Sequence, residues 1–487
     1  MNIVKIATAI TLATFSFHAT AKEKDYLGEC WNKQVKAISE KSFLSFHFTE
    51  KLNELTHNFE PWKTTHYDAN GIIYTNADYF LKDDTLTNTT SKRTYYSKTQ
   101  YSPATLLLLD YGDKDLYAVT KDMFTDQPVK AARYTPSLLI GNFRKNKTEL
   151  SRESNKTSAV YQQTINKTIV KLYISKSTGL LDKITTLSDD DLFGDVLTTY
   201  NYSSYQQSGK QLYYPKAVYI SKINGKVLDT VRIENTELVS SAPDLLKQPD
   251  NYTFKEKEEK KPAFTIEQYS DHIHFINLEH TNDRVMVVEF KDFLLVAEAP
   301  LNSKNGDIIV AEAHKIAPDK PIRYFAFSHY HPHYTGGLRP FVHEGATVLS
   351  TAGDTAYIRY LATNPHSLAP DKLYTDPKPL QFEIIDSQKT ITDGEYIMRF
   401  YYLGARSHHT KDYLVYYFPS EQLLFEGDLV GIPKDGTVKK SSAPQQGLYD
   451  AIIGWRIPVK TVIQSWPVSD YGLKTQIPFS DIVAASK

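Results

Sequence analysis

Residue type and spacing point to chemistry in one stretch above all, Ser328-His329-Tyr330-His331-Pro332-His333-Tyr334-Thr335-Gly336-Gly337. His329, His331 and His333 alternate, so on an extended backbone their side chains leave on one side and their ring nitrogens can converge on one ion. Three imidazoles with an open fourth position are the ligand set that a catalytic zinc needs, although imidazole also suits iron, nickel and copper. Pro332 cannot donate to a ladder and predicts a strand end, and Gly336-Gly337 permits a tight turn into the next element.

The elements that must position this stretch follow from periodicity. Arg284 to Phe290 and Phe293 to Ala299 predict two apolar strands joined through Lys291-Asp292. Asp307 to Lys315 has helical spacing, and Arg323 to Ser328 is a strand that ends in the histidines. Strand, strand, helix, strand is an α/β order. Residues 22–254 read differently: they are rich in Tyr and Thr and form short alternating segments with turn residues between them. Lys171 to Ser175 and Leu180 to Thr185 flank Ser177-Thr178-Gly179, and Lys216 to Lys222 and Val227 to Ile233 flank Ile223-Asn224-Gly225-Lys226. These are hairpin signals and predict an antiparallel meander, with helices only at Cys30 to Ser39 and Pro136 to Arg144. The solvated charge run 255–262, closed by Pro262, marks a boundary between two cores. The expectation is therefore an α+β two-domain chain: a leader at 1–21, an antiparallel β domain at 22–254, a linker at 255–262 and a second domain at 263–487.

From about Ala263 to Val483 the sequence resembles the metallo-β-lactamase superfamily, whose signature is His-x-His-x-Asp-His-x-Gly-Gly at a strand end. Gly345-Ala346-Thr347-Val348 and the segment Ser407 to Val430 add to the resemblance. It implies an αββα sandwich in which His329, His331 and His409 hold a metal, with His408 one position out of register. Asp428, in Glu426-Gly427-Asp428, stands where the family has an Asp that bridges two metals. The departures are as informative. His333 replaces the family's Asp, Tyr334 replaces the next His, and Val462 to Pro467 holds no histidine where the family has its last one. The second metal site has lost three protein ligands, so one ion is expected. Glu298 stands where many relatives have an Asp that supports the metal loop. The stretch Lys171 to Asp229 is faintly similar to the curved half-barrel of periplasmic lipoprotein carriers and to the β-rich leader domain of some exported relatives. Such a sheet could hold an apolar ligand, cover the mouth of the metal site, or serve only as a structural partner.

Composition bounds the function. Among 487 residues, Lys+Arg number 56 and Asp+Glu 57, a net charge of -1 that lacks the basic stripe of a nucleic-acid binder. Met1 to Ala21 has an early Lys5, an apolar run from Ile6 to Phe17 and Ala19-Thr20-Ala21, the pattern of a secretory signal peptide, which predicts a periplasmic or secreted protein. No second apolar run of about 18 residues predicts a membrane span in the mature chain. Cys30 is the single cysteine, so no thiolate can join the histidines and no intramolecular disulfide can form.

The expected activity is hydrolysis of an ester, lactone or similar small substrate by one zinc, with iron as the other candidate ion. His333 and Asp428 are the candidate catalytic residues. His333 is read as the base or as a fourth ligand that closes the site, and Asp428 as a further ligand or as the group that fixes an imidazole. The alternative is a non-catalytic binding or scaffold protein of the cell envelope that kept the fold. An envelope accessory factor carrying a lipid-like ligand is a third.

Overall fold

The structure, a computed structural model, describes residues 24–38, 42–209, 212–243, 250–256, 261–469 and 471–487. The expected leader and residues 257–260 of the charged run lie outside them. Lys255 belongs to a strand, Thr253–Lys255, which runs parallel to Asp115–Tyr117 at one edge of the first sheet.

That first sheet has fourteen strands, and every other pairing in it is antiparallel. Its centre is the long strand Phe43–Leu55, which pairs on one side with Thr64–Thr75 and on the other with Val227–Val239. The expected hairpins are present: Thr168–Ser175 with Leu181–Asp190, and Ala217–Lys222 with Val227–Val239. The second turns on Asn224 at φ 55° and Gly225 at φ 91°, left-handed positions that Asn and Gly enter at least cost. One face of the sheet is packed by helices Tyr26–Gln34 and Ser137–Lys145, which bury Leu27, Cys30, Leu139 and Phe143 against Phe46, Phe48 and Leu172. A further helix, Lys121–Ala131, starts at the Thr120 cap and contains Pro128, a residue that hid it from periodicity.

Beyond residue 261 two more sheets follow. Seven strands from Phe264–Gln268 to Gln381–Ile384 pair antiparallel and then, from Leu294–Ala297 onward, parallel. Six strands from Gln388–Thr392 to Gln476–Pro478 form the other sheet. Alternation along the strands divides the side chains between cores. Phe275, Met286, Val288 and Leu295 of the seven-stranded sheet meet Met398, Phe400, Tyr416 and Phe425 of the six-stranded one. Ile276, Val285 and Val296 point the other way, onto helices Ser303–Ile316, Leu338–His343 and Thr355–Thr363. Val415, Leu424 and Val462 pack on Ala443–Trp455 and Phe479–Ala485. The chain is thus a mixed α/β, strand-rich molecule with several sheets. No helix among the described residues is long and apolar enough to cross a membrane.

The first sheet docks on the rest through polar anchors. The Asp195 carboxylate accepts from the backbone N–H groups of Ser367 and Leu368 at 3.0 and 3.1 Å. Lys411 N donates to Phe59 O at 2.7 Å, and the Tyr330 hydroxyl donates to Asn58 O at 2.5 Å. Segment 55–63, the turn after the long central strand, is thereby laid against the histidine stretch.

Asp354, 1% exposed, has no hydrogen-bond partner on either carboxylate oxygen. Burial, reinforced by the nearby Asp412 carboxylate, pushes its pKa up to about 8. Between about pH 4 and pH 8 the unfolded chain has lost this proton while the folded one keeps it, so stability falls as pH rises through that window. Asp354→Asn stays neutral, and its melting temperature should fall less than the wild type's between about pH 5 and pH 8, by several degrees. Identical pH dependence in thermal melts would contradict this.

Candidate metal centre

The strand Ile322–Ala326 stops short of Ser328, so His329 stands in a loop beyond it rather than on extended backbone. The neighbouring strand Leu294–Ala297 runs parallel to it and places Glu298 beside that loop. Glu298 is fully buried at φ 73°, a conformation a long side chain adopts only when its surroundings impose it. Its carboxylate accepts from Ser328 N at 3.0 and 3.2 Å and from the Tyr416 hydroxyl at 3.4 Å. Burial pushes that carboxyl well above the usual carboxylate range. Glu298 anchors the start of the loop, and Leu414 N donating to Ser328 O at 2.7 Å holds it from the other sheet.

Pro332 does more than end a strand: it is the first residue of a short helix, Pro332–Thr335, capped by His331. The helical turn separates the three histidines that alternation had placed together. His329 and His331 converge, with Nε2 of the first 2.9 Å from Nδ1 of the second. His333 turns away to Asp283, whose carboxylate lies 2.9 and 3.2 Å from its Nδ1. The glycines that follow serve contact rather than turning, since Gly336 and Gly337 both have negative φ. A Cβ on Gly336 would stand 2.3 Å from the Leu301 carbonyl carbon, and one on Gly337 would stand 3.0 Å from Gly306 N.

His409 completes the trio from the other sheet. His408 takes φ 51° as it ends the turn Gly404–Ser407, and the Ser407 hydroxyl accepts from His409 N at 3.2 Å and Thr410 N at 3.1 Å. This places His409 facing His329 and His331, with ring centroids 5.0 and 4.9 Å away. Asp428 arrives from the end of Leu423–Glu426. The Tyr413 hydroxyl orders that turn: it accepts from Gly427 N at 2.9 Å and Asp428 N at 3.1 Å and donates to Glu426 at 3.1 Å. The Tyr413 ring stacks on His329 at 4.7 Å, and Tyr334 packs at 4.2 Å.

His329, His331, His409 and Asp428 each offer a ligand atom, and these atoms all lie within 4.8 Å of one another. Asp428 Oδ2 is 3.3 Å from His409 Nε2, and Oδ1 is 3.9 Å from His329 Nε2. His409 Nε2 and Asp428 Oδ1 are buried without a hydrogen-bond partner, which fits atoms that ligate a metal. Burial and the neighbouring imidazoles hold His329 well below its ordinary pKa, and burial lowers His331 to about 3. Both are neutral at neutral pH and keep the lone pair a metal needs. Burial raises the Asp428 carboxyl, but His409 and His331 more than offset this and hold it below its usual range. His331 Nε2 lies 3.0 Å from Asn58 O, an acceptor only, so Nε2 carries the proton and Nδ1 is left for the group. These residues fit a divalent cation.

A cavity of about 60 Å³ opens beside the group, lined by His57, His331, His333, Tyr334, Asp428 and Trp466. Sequence reading passed over His57, Asp283, Tyr413 and Trp466. His57 comes from the first sheet, and its ring stands 4.8 Å from that of His331, a proximity no spacing signals. Trp466 belongs to the stretch Val462 to Pro467, which has no histidine where the resemblance places one. His272, His274 and His343 lie elsewhere, on Glu289 O, Glu289 and Asp376 respectively.

No protein-family model matches this sequence, and no curated protein does. Solved structures similar to the chain include metallo-β-lactamases. One from Pontibacter korlensis shares 14% identity over 46% of this chain and 96% of its own, with a TM-score of 0.32. The FIM-1 enzyme of Pseudomonas aeruginosa in its mono-zinc form shares 16% over 46% and 93%, at 0.33. A metallo-β-lactamase from Hirschia baltica shares 16% over 46% and 96%, at 0.32.

Gly427 is closely packed against this arrangement. A Cβ there would stand 2.6 Å from the Tyr413 hydroxyl, 2.7 Å from Ser328 Oγ and 3.2 Å from His329 Cε1. Gly427→Ala should therefore weaken zinc binding by roughly tenfold or more, the range seen when groups behind metal ligands are disturbed. Competition with a chromophoric chelator measures this, and unchanged affinity would contradict it.

Proposed function

We propose that this chain is an exported metal-dependent hydrolase of the metallo-β-lactamase type, acting with one zinc ion on an ester, lactone or similar small substrate. The carrying observation is the convergence of His329, His331, His409 and Asp428, with two ligand atoms left unpartnered beside a small cavity. The αββα sandwich expected from the sequence, behind a separate β domain, is the frame this reading assumes. Iron is the other ion the imidazoles suit. A divalent cation held here supplies Lewis acidity and acidifies water toward neutral pH.

The chain's own residues supply the rest. Asp283 occupies Nδ1 of His333 and leaves Nε2 as the basic nitrogen, the arrangement by which a carboxylate orients a general base. Burial lowers the His333 pKa, and the Asp283 carboxylate more than restores it, so the ring binds a proton readily. His333 takes the proton from the attacking water, Tyr334 and Trp466 limit the space around it, and Asp428 orients the His409 ring.

One observation favours a second reading, a non-catalytic binding protein. With Asp428 the group offers four ligand atoms, the number that closes a structural zinc site. The two readings separate on turnover. The zinc-loaded full chain should hydrolyse p-nitrophenyl acetate in a chelator-sensitive way. His333→Ala should lower that rate by about 10²–10⁴-fold while zinc content is kept. Turnover equal to wild type in His333→Ala would remove His333 from the mechanism, and no chelator-sensitive turnover in the wild type would favour the binding protein.

A further inference from the structure

A cavity of about 350 Å³ lies between segment 55–63 and hairpin tip 190–194 on one side and the histidine stretch on the other. Its walls are apolar and largely aromatic: Leu55, Trp62, Leu192, Phe193, Tyr330 and Tyr357. Trp62 stacks on Phe193 at 5.8 Å and meets the edge of Tyr357 at 5.1 Å, so the walls brace one another. Among the described residues no carboxylate lines it, and the charged lining residue is the exposed Lys63. Two features tie it to the metal centre. His57 lines both this cavity and the small one beside the ligand group. Tyr330 and Pro332, which flank His331 in the chain, form its floor. Its volume lies in the range of small-molecule sites, and such sites are mainly apolar with a few polar groups at one end.

We propose that this cavity seats the apolar, aromatic or branched part of the substrate, whose scissile bond then lies at the histidine group past His57. The inference rests on the hydrolase reading and gives it a substrate class: neutral or anionic esters with a bulky apolar acyl group. It also gives the first sheet a part in specificity, because Leu55 ends its long central strand and His57, Trp62, Leu192 and Phe193 lie in turns between its strands. The site is rigid in this place, since Asn58 O and Phe59 O are held by Tyr330 and Lys411 and the tip beside Phe193 is held through Asp195. Lys63 at the rim disfavours a charged amine.

The test uses the zinc-loaded full chain, with Leu192→Trp to fill the cavity and Trp62→Ala to open it, each checked for folding by circular dichroism. Two readouts are taken. The first is the ratio of kcat/KM for p-nitrophenyl 4-phenylbutyrate over p-nitrophenyl acetate. The second is binding of 4-(4-fluorophenyl)butan-2-one, which cannot be hydrolysed, followed by fluorine NMR. The expected result is a wild-type ratio of about tenfold or more that falls at least fivefold in Leu192→Trp, with probe binding weakened about tenfold. A ratio unchanged in both folded variants, or a probe that the wild type does not bind or that both variants bind equally well, overturns the cavity assignment and leaves the hydrolase reading standing. Probe binding that Leu192→Trp abolishes, with no metal-dependent turnover of either ester, supports the cavity as a ligand site and overturns the hydrolase reading.

Discussion

A carboxylate set among three imidazoles in a largely buried cluster is the constraint on which the second half of this molecule depends. Asp428 meets His409 and His329 at 3.3 and 3.9 Å, and burial with the neighbouring imidazoles holds His329 well below its ordinary pKa. Burying such a charge without a partner costs several kcal/mol. His409 Nε2 and Asp428 Oδ1 have no hydrogen-bond partner, and a divalent cation held by these residues would balance the charge. The surrounding structure holds that cluster in place: Glu298 hangs the first loop, Ser407 sets His409, and the Tyr413 hydroxyl fixes the turn that carries Asp428. Each of these is a buried polar group whose own bonds are satisfied by the loop it positions.

The first sheet takes part in this arrangement. Asn58 lends a backbone carbonyl to His331 and so decides which of its nitrogens faces the group. His57 reaches the neighbouring cavity from the same turn. The seven- and six-stranded sheets could bring the four side chains together unaided, but here the tautomer of His331 and one wall of the small cavity come from a turn of the first sheet. Docking of segment 55–63 is therefore coupled to the chemistry that the histidines can do.

Much of this was legible in the sequence. The strands around the histidine stretch lie within a few residues of where periodicity put them, and the hairpins at Gly179 and Gly225 turn where turn chemistry required. His329, His331 and His409 come together with Asp428 because a strand end and two ordered turns present them. The spacing of the histidines misled at one point. Alternation treats His333 as equivalent to His329 and His331, but proline at the first helical position bends the chain and sends that ring to Asp283. His57 and Asn58 were illegible for a physical reason: they lie more than 270 residues before His331 and contribute through a turn and a backbone carbonyl, which leave no residue pattern. The helix Lys121–Ala131 was missed because Pro128 weighs against helices in sequence and is tolerated here in a partly buried one.

The central claim is that the buried cluster is a single-ion site. Elemental mass spectrometry of the purified full-length protein, beside a His329→Ala/His331→Ala double variant, tests it most directly. The account predicts about one zinc or iron per chain in the wild type and essentially none in the variant. No metal in the wild type after incubation with zinc and iron salts, or equal metal in both proteins, would contradict it.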